Sequence, residues 1–483
     1  MKAAPRHPYR AFAIALTLLV LVGGVSAPPA SAAGAPSLRL LAAQDRVPLG
    51  AHKGRVFLYD LGVWAEAVGG AFELRVTRPD YEAFQATQVD PHTIDVLRSI
   101  PADLLDGWHG LSNFTHVVFR DRAGDVVARK SFTFCPNSWD RQRVVDAGPQ
   151  VSLYPYDCGG YFPFTRGMVW GIDDHWAVSS FSGAYPSMRI PDGTYQVTVR
   201  IAKTYAGLFD VPAADRSATV TVTVKSLSTS GTTTRAPTDQ EPIPGREADV
   251  PTLTSPDPTT VPDLVALPLW SIRAVARKDR DLLQFAATPW NSGPSPLVVE
   301  GFRRQNSDVM DAYQYFYDVD GNVVGRAPAG TMKFDDRRGH HHWHFLQFAR
   351  YTMLDLSRQV VVRSHKQSYC IFPTDAVDLT VPRATWNPWN LNLHSACGGP
   401  GSIWIREELD TGWGDTYYQS VAGQAFEITR VPNGWYYLRS VVNPLGKLYE
   451  ASADNNVVDR LVHLSGKRGH RHVLVEPWHG IEG

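Results

Sequence analysis

Cysteine is scarce in this chain: 483 residues contain only Cys135, Cys158, Cys370 and Cys397, and no two are spaced as Cys-x-x-Cys. The absence of that spacing rules out a zinc-ribbon type of site. Two cysteines fall in each half, which in an exported chain suggests one disulfide per half. Charge of one sign is also lacking. With 47 Lys and Arg against 48 Asp and Glu, the composition offers no footprint for nucleic acid or another polyanion. Long helical periodicity is scarce, and after the first 25 residues no apolar run is long enough to span a bilayer.

The one apolar run lies at the start. Lys2, Arg6 and Arg10 precede it, and Ala30-Ser31-Ala32 follows it. This is the layout of a secretory signal peptide over 1–32, and about 15 apolar residues are too few for a comfortable membrane anchor. Its removal takes three positive charges and moves the net charge from −1 to −4.

Aromatic residues are missing from 226–260, where Ser, Thr, Pro, Asp and Gly dominate. Such a stretch buries too little apolar surface to fold alone, so 226–261 reads as a linker between 36–225 and 262–483. Elsewhere aromatics are plentiful and short alternating runs recur, as in Gly193-Thr-Tyr-Gln-Val-Thr-Val-Arg-Ile201. The expected fold is all-β, with two β-sandwich domains. The halves also echo one another: Ile190-Pro-Asp-Gly-Thr-Tyr195 parallels Val431-Pro-Asn-Gly-Trp-Tyr436, and Asp125-Val-Val-Ala-Arg129 parallels Gln359-Val-Val-Val-Arg363. The first half therefore reads as a related, degenerate repeat.

The densest chemical signal is Gly339-His340-His341-His342-Trp343-His344-Phe345. In a strand His340, His342 and His344 share one face, opposite His341 and Trp343. Three imidazoles suit copper or zinc, and ligand type alone leaves the choice open. The outer two Cα atoms of a straight strand would lie about 13 Å apart, so the chain must bend here for all three to converge. The hydrolase pattern His-x-His-x-Asp-His fits poorly, because no Asp-His follows His342.

Three further segments follow in order: Ser364-His365-Lys366-Gln367-Ser368-Tyr369-Cys370, then Gly412-Trp413-Gly414-Asp415-Thr416-Tyr417, then Gly423-Gln424-Ala425-Phe426-Glu427. Together with the histidines and the closing Asp454-Asn455-Asn456, this set resembles the catalytic domain of the lysyl oxidase family, in a bacterial form, over about 262–465. The resemblance implies copper(II) held by His340, His342 and His344. It also implies a lysine tyrosylquinone formed from Lys366 and Tyr417, and a local disulfide between Cys370 and Cys397. The eight-residue spacing from Tyr417 to Ala425 favours Tyr417 over Tyr418. Asp415 and His365 are the candidate catalytic bases by their place in the sequence. The animal pattern is left at Arg337, where those enzymes carry a further histidine, and at Ala425, where Trp or Tyr is usual.

The implied enzyme is a protein-lysine 6-oxidase-like copper amine oxidase, secreted and extracellular or attached to the cell envelope. It would turn primary amines, free or as lysine side chains of a protein, into aldehydes with molecular oxygen, releasing hydrogen peroxide and ammonia. The first half retains no His-x-His-x-His, and alignment of Pro191 with Pro432 puts Trp176 opposite Tyr417. It is expected to bind or pack, with a cell-wall or matrix polymer as one partner for its aromatic stretch. A reading of another class is a non-catalytic exported protein that holds copper for storage or adhesion. A third, a zinc hydrolase, predicts activity with zinc in the absence of oxygen.

Overall fold

Alternation of apolar and polar residues builds the strands. In Gly193–Ile201 the side chains of Tyr195, Val197, Val199 and Ile201 are buried, while Gln196 and Arg200 are exposed. The computed structural model describes residues 35–144, 149, 152–160, 162–182, 186–226, 250–303, 308–335, 342–366, 368–388, 397 and 404–478. Among these the architecture is all-β, as expected, and the one α-helix is Lys203–Leu208. No described helix is long and apolar enough to cross a membrane. The signal peptide expected over 1–32 lies outside the described residues, as does 227–249 of the linker.

Each described sheet takes its strands from one half only. In the first half a five-stranded sheet runs in the order Val126–Phe134, Leu111–Arg120, Gly193–Ile201, Ser217–Ser226, Arg46–Ala51. In the second half another runs Val360–Arg363, Ala349–Leu354, Gly434–Val442, Val457–Lys467, His470–Val475. The likeness of the halves reaches into hydrogen-bonding detail. Asp121 Oδ1 accepts from the N–H groups of Ala123 and Asp125, and Asp355 Oδ1 from those of Ser357 and Gln359. The Tyr195 hydroxyl donates to the Pro191 carbonyl at 3.0 Å, and that of Tyr436 to Pro432 at 2.9 Å. A disulfide closes in each half, Cys135–Cys158 and Cys370–Cys397.

The described residues from Ala35 onward form one compact unit, and backbone hydrogen bonds join its two halves. Arg166 N–H donates to the Val377 carbonyl at 2.6 Å, and Leu379 N–H to the Gly167 carbonyl at 2.8 Å. Phe162 and Phe164 from the first half share an apolar cluster with Val265, Leu267, Trp290 and Val377 from the second. Part of the expected linker also packs here: Leu253 N–H donates to the Arg326 carbonyl at 2.8 Å, and Val261 is buried with Phe316 and Ala327.

Gly167 permits the close approach at this seam, because a Cβ there would overlap Asp378 Oδ1 and Thr380 Oγ1. Gly167→Ala is expected to lower stability by about 1–3 kcal/mol through overpacking. A reduced midpoint in urea unfolding checks this; an unchanged midpoint would show that the seam relaxes freely.

Candidate functional site

The site is assembled on one edge of a six-stranded sheet ordered Ser368–Tyr369, His342–Leu346, Val323–Asp335, Val309–Tyr317, Leu297–Arg303, Trp404–Leu409. His342 pairs with Asp335 and His344 with Lys333 in antiparallel register. Strand alternation places both imidazoles on one face, with ring centroids 4.5 Å apart, while Trp343 is fully buried on the other against Phe334. His344 is buried, with Nδ1 3.6 Å from Asp335 Oδ2. His340 and Arg337 lie outside the described residues, so the convergence of three histidines and the bend it requires lie outside them too. Among the described residues no three His, Cys, Asp or Glu side chains gather as a metal cradle.

The histidine strand is tied to the lysine segment twice. Phe345 pairs with Tyr369 and Leu346 with Ser368. Trp343 N–H donates at 2.9 Å to the carbonyl of Cys397, whose sulfur is bonded to Cys370. Lys366 is 5% exposed, and its Nζ lies 4.3 Å from the Tyr417 ring centroid and 5.1 Å from that of Tyr369. The Tyr369 and Tyr417 rings meet edge to face at 4.9 Å. The Tyr417 hydroxyl donates to the Cys370 carbonyl at 2.7 Å. Its neighbour Tyr418 is 44% exposed and turns instead to Trp270.

The Gly423-Gln424 pair has a structural role. Gly423 has φ +88° and sits against the Lys366 backbone, where a Cβ would lie 3.0 Å from the Lys366 nitrogen. Gln424 Nε2 donates to the Tyr417 carbonyl at 2.9 Å. One residue thus admits the lysine segment and the next clamps the tyrosine.

Asp415 is 2% exposed and held by its N–H to the Pro289 carbonyl at 2.9 Å. Burial raises its carboxyl well above the ordinary carboxylate range, against the opposing influence of Tyr417 and Lys366. Burial, then Asp415, then Glu407 raise the Tyr417 phenol. His365, the other candidate base, is exposed while Lys366 beside it is buried. Sequence reasoning missed Glu407. This fully buried carboxyl, raised by burial, accepts from Ile371 N–H at 2.9 Å and so fixes the turn that carries Cys370. Its one sequence signal was a run of acids inside the apolar-flanked strand Trp404–Leu409.

Asp410, just beyond that strand, has its carboxyl pushed up to about 7 by burial. The folded chain therefore holds this proton more tightly than the unfolded chain, for which the value is 3.8. Glu408 beside it is raised by burial and by Asp410, so the two carboxyls together contribute stability that is complete at low pH and is lost as pH rises through their folded values. Asp410→Asn should therefore flatten the fall of Tm between about pH 4 and pH 7. Parallel pH profiles of parent and variant would refute the assignment.

Residues 326–473 match the lysyl oxidase family model. Lysyl oxidase homolog 4 of Mus musculus is 27% identical over 149 residues, covering 31% of this chain and 18% of that protein. The Homo sapiens homolog 4 is 28% identical over 149 residues, and Lysyl oxidase homolog 2 of Gallus gallus is 26% identical over 130, or 15% of its length. The chain thus spans less than a fifth of the curated relatives it matches. The matched span includes the histidine strand, Lys366, Asp415 and Tyr417, and it is a segment of the lysyl oxidase family.

Proposed function

We propose that this chain is a secreted, copper-dependent amine oxidase that converts primary amines, free or as protein lysine side chains, to aldehydes with release of hydrogen peroxide and ammonia. The observation that carries the reading is the approach of Lys366 Nζ to 4.3 Å from the Tyr417 ring centroid, in a site where both side chains are buried. The paired imidazoles of His342 and His344 fit copper(II), with His340 as the third ligand. Copper and oxygen would supply the oxidation of Tyr417 to a quinone joined to Lys366, which would serve as electron sink for amine oxidation.

The other residues position and move protons. The Cys370 carbonyl holds the tyrosine oxygen, Gln424 holds its backbone, and the Tyr369 ring edge sets its plane. Asp415 accepts the α-proton of the bound amine, for which a carboxylate made more basic by burial is suited. Its Oδ2 has no hydrogen-bond partner among the described residues. On this reading 262–483 is the catalytic domain, and 36–225 is a domain without a metal site of its own. The basic-then-apolar start of the chain and its two disulfides support export.

Peptide mapping and intact-mass measurement after copper loading in air test the reading. A crosslinked pair of peptides containing Lys366 and Tyr417, with quinone absorbance, is expected. Two unmodified peptides from copper-saturated, aerated protein would overturn it.

A further inference from the structure

A cleft of about 380 Å³ opens where the halves meet, within the size range of small-molecule sites. The first half contributes Trp139, Tyr156 and Asp157, and the second contributes Asp375, Trp386 and Asn387. Trp139 and Tyr156 are stacked, with centroids 3.8 Å apart and planes 6° apart, yet Trp139 is 60% exposed. A large aromatic held flat at the mouth of a cleft offers a ring face to a ligand.

The polar groups of the cleft point to the ligand's charge. Asp157 is exposed, and its Oδ1 takes the Gly159 N–H at 2.8 Å. Asp375 Oδ2 accepts from the Thr374 hydroxyl at 3.0 Å. Asn387 is 4% exposed; its Nδ2 donates to the Tyr154 carbonyl at 3.2 Å, which fixes the amide orientation. Its Oδ1 has no partner among the described residues. Two carboxylates thus present acceptors, and among the described residues no Lys or Arg lines the cleft. Arg141 and Arg75 lie against the Tyr156 and Trp386 rings, and both are already engaged, with backbone carbonyls and with Glu73 respectively. Tyr156 already carries Trp139 and Arg141, and Trp386 carries Tyr154 and Arg75, so the exposed Trp139 ring beside the two carboxylates is the face that suits an organic cation.

The cleft also adjoins the reacting residues. Asp375 pairs with Gly414, the residue before Asp415, and Thr416 N–H donates to Thr374 Oγ1 at 2.7 Å. The same short strand pair therefore forms a wall of the cleft and leads directly into the segment that carries Asp415 and Tyr417.

We propose that this cleft binds the ammonium end of a primary amine with an apolar stem, and that the first half selects the amine through Trp139, Tyr156 and Asp157. Binding stands independently; selection for catalysis rests on the amine oxidase reading. Burial and the nearby Asp157 both raise Asp375, so a cation between the two carboxyls relieves their repulsion.

The test uses the full chain carrying Tyr417→Phe, which cannot form the quinone, titrated with 2-phenylethylamine by tryptophan fluorescence and calorimetry. The uncharged 2-phenylethanol is expected to bind at least about tenfold more weakly. Asp157→Asn and Trp139→Ala should each weaken amine binding at least about fivefold, with unchanged circular dichroism. In copper-loaded parent background, Asp157→Asn should raise KM with kcat retained. Equal binding of amine and alcohol, or affinity and KM untouched by both substitutions, overturns the site. Amine binding that depends on Asp157, in a parent that makes no peroxide, would keep the site and defeat the amine oxidase reading instead.

Discussion

Tyr417→Phe is expected to bind copper as the parent does and to produce no peroxide from amines, a loss of at least about 10³-fold. The variant keeps the ring that meets Tyr369 at 4.9 Å and lies under Lys366, so packing is preserved. It loses the hydroxyl that donates to Cys370, at a stability cost of about 1 kcal/mol. His342 and His344, the proposed ligands, stand on a separate strand, so copper binding is expected to survive the loss of the phenol. Copper content by atomic absorption and amine-dependent peroxide release check both halves of the statement. Peroxide formation by the variant would mean that another tyrosine makes the cofactor, and the exposed Tyr418 would be the first to examine. A storage or adhesion protein predicts silence from the parent as well.

Asp415→Asn should form the crosslink and then turn over about 10²–10⁴-fold more slowly, the scale of losing a positioned base. The amide keeps the shape of the carboxyl and cannot take a proton. The pH profile supplies the sharper readout. Only the ionised carboxyl accepts the α-proton, so parent kcat rises as pH climbs through the Asp415 value. Burial places that limb above the usual carboxylate range. In the variant the limb disappears. A limb that survives at the same pH assigns the base elsewhere, with the exposed His365 as the alternative.

Much of this was legible in the residues, for reasons that differ from place to place. Period-two alternation suffices to place a strand such as Gly193–Ile201, because one face is buried and the other is wet. The same rule put His342 and His344 side by side. Lys366 and Tyr417 were visible only as members of an ordered set, since a buried lysine and a buried tyrosine have no local signature. Glu407 was hidden because acids in a strand ordinarily mark a solvated face; here Ile371 N–H and the surrounding protein take that role. Residues 250–261 read as linker by composition, yet Leu253 and Val261 are enough to seat them when an open strand edge at Arg326 offers hydrogen bonds. The cleft between the halves was not readable at all. It depends on the approach that Gly167 allows, and no periodicity encodes such an approach.

The Cys370–Cys397 bond bears on the timing of maturation. One of its residues supplies the carbonyl that holds the Tyr417 hydroxyl, and the other receives the N–H of Trp343, between two histidines. A chain still in a reducing environment lacks the link that registers the tyrosine segment against the histidine strand. If Tyr417 matures as proposed, its self-oxidation is expected to wait until the bond has closed outside the cell, which would keep peroxide chemistry away from the compartment where the protein is made.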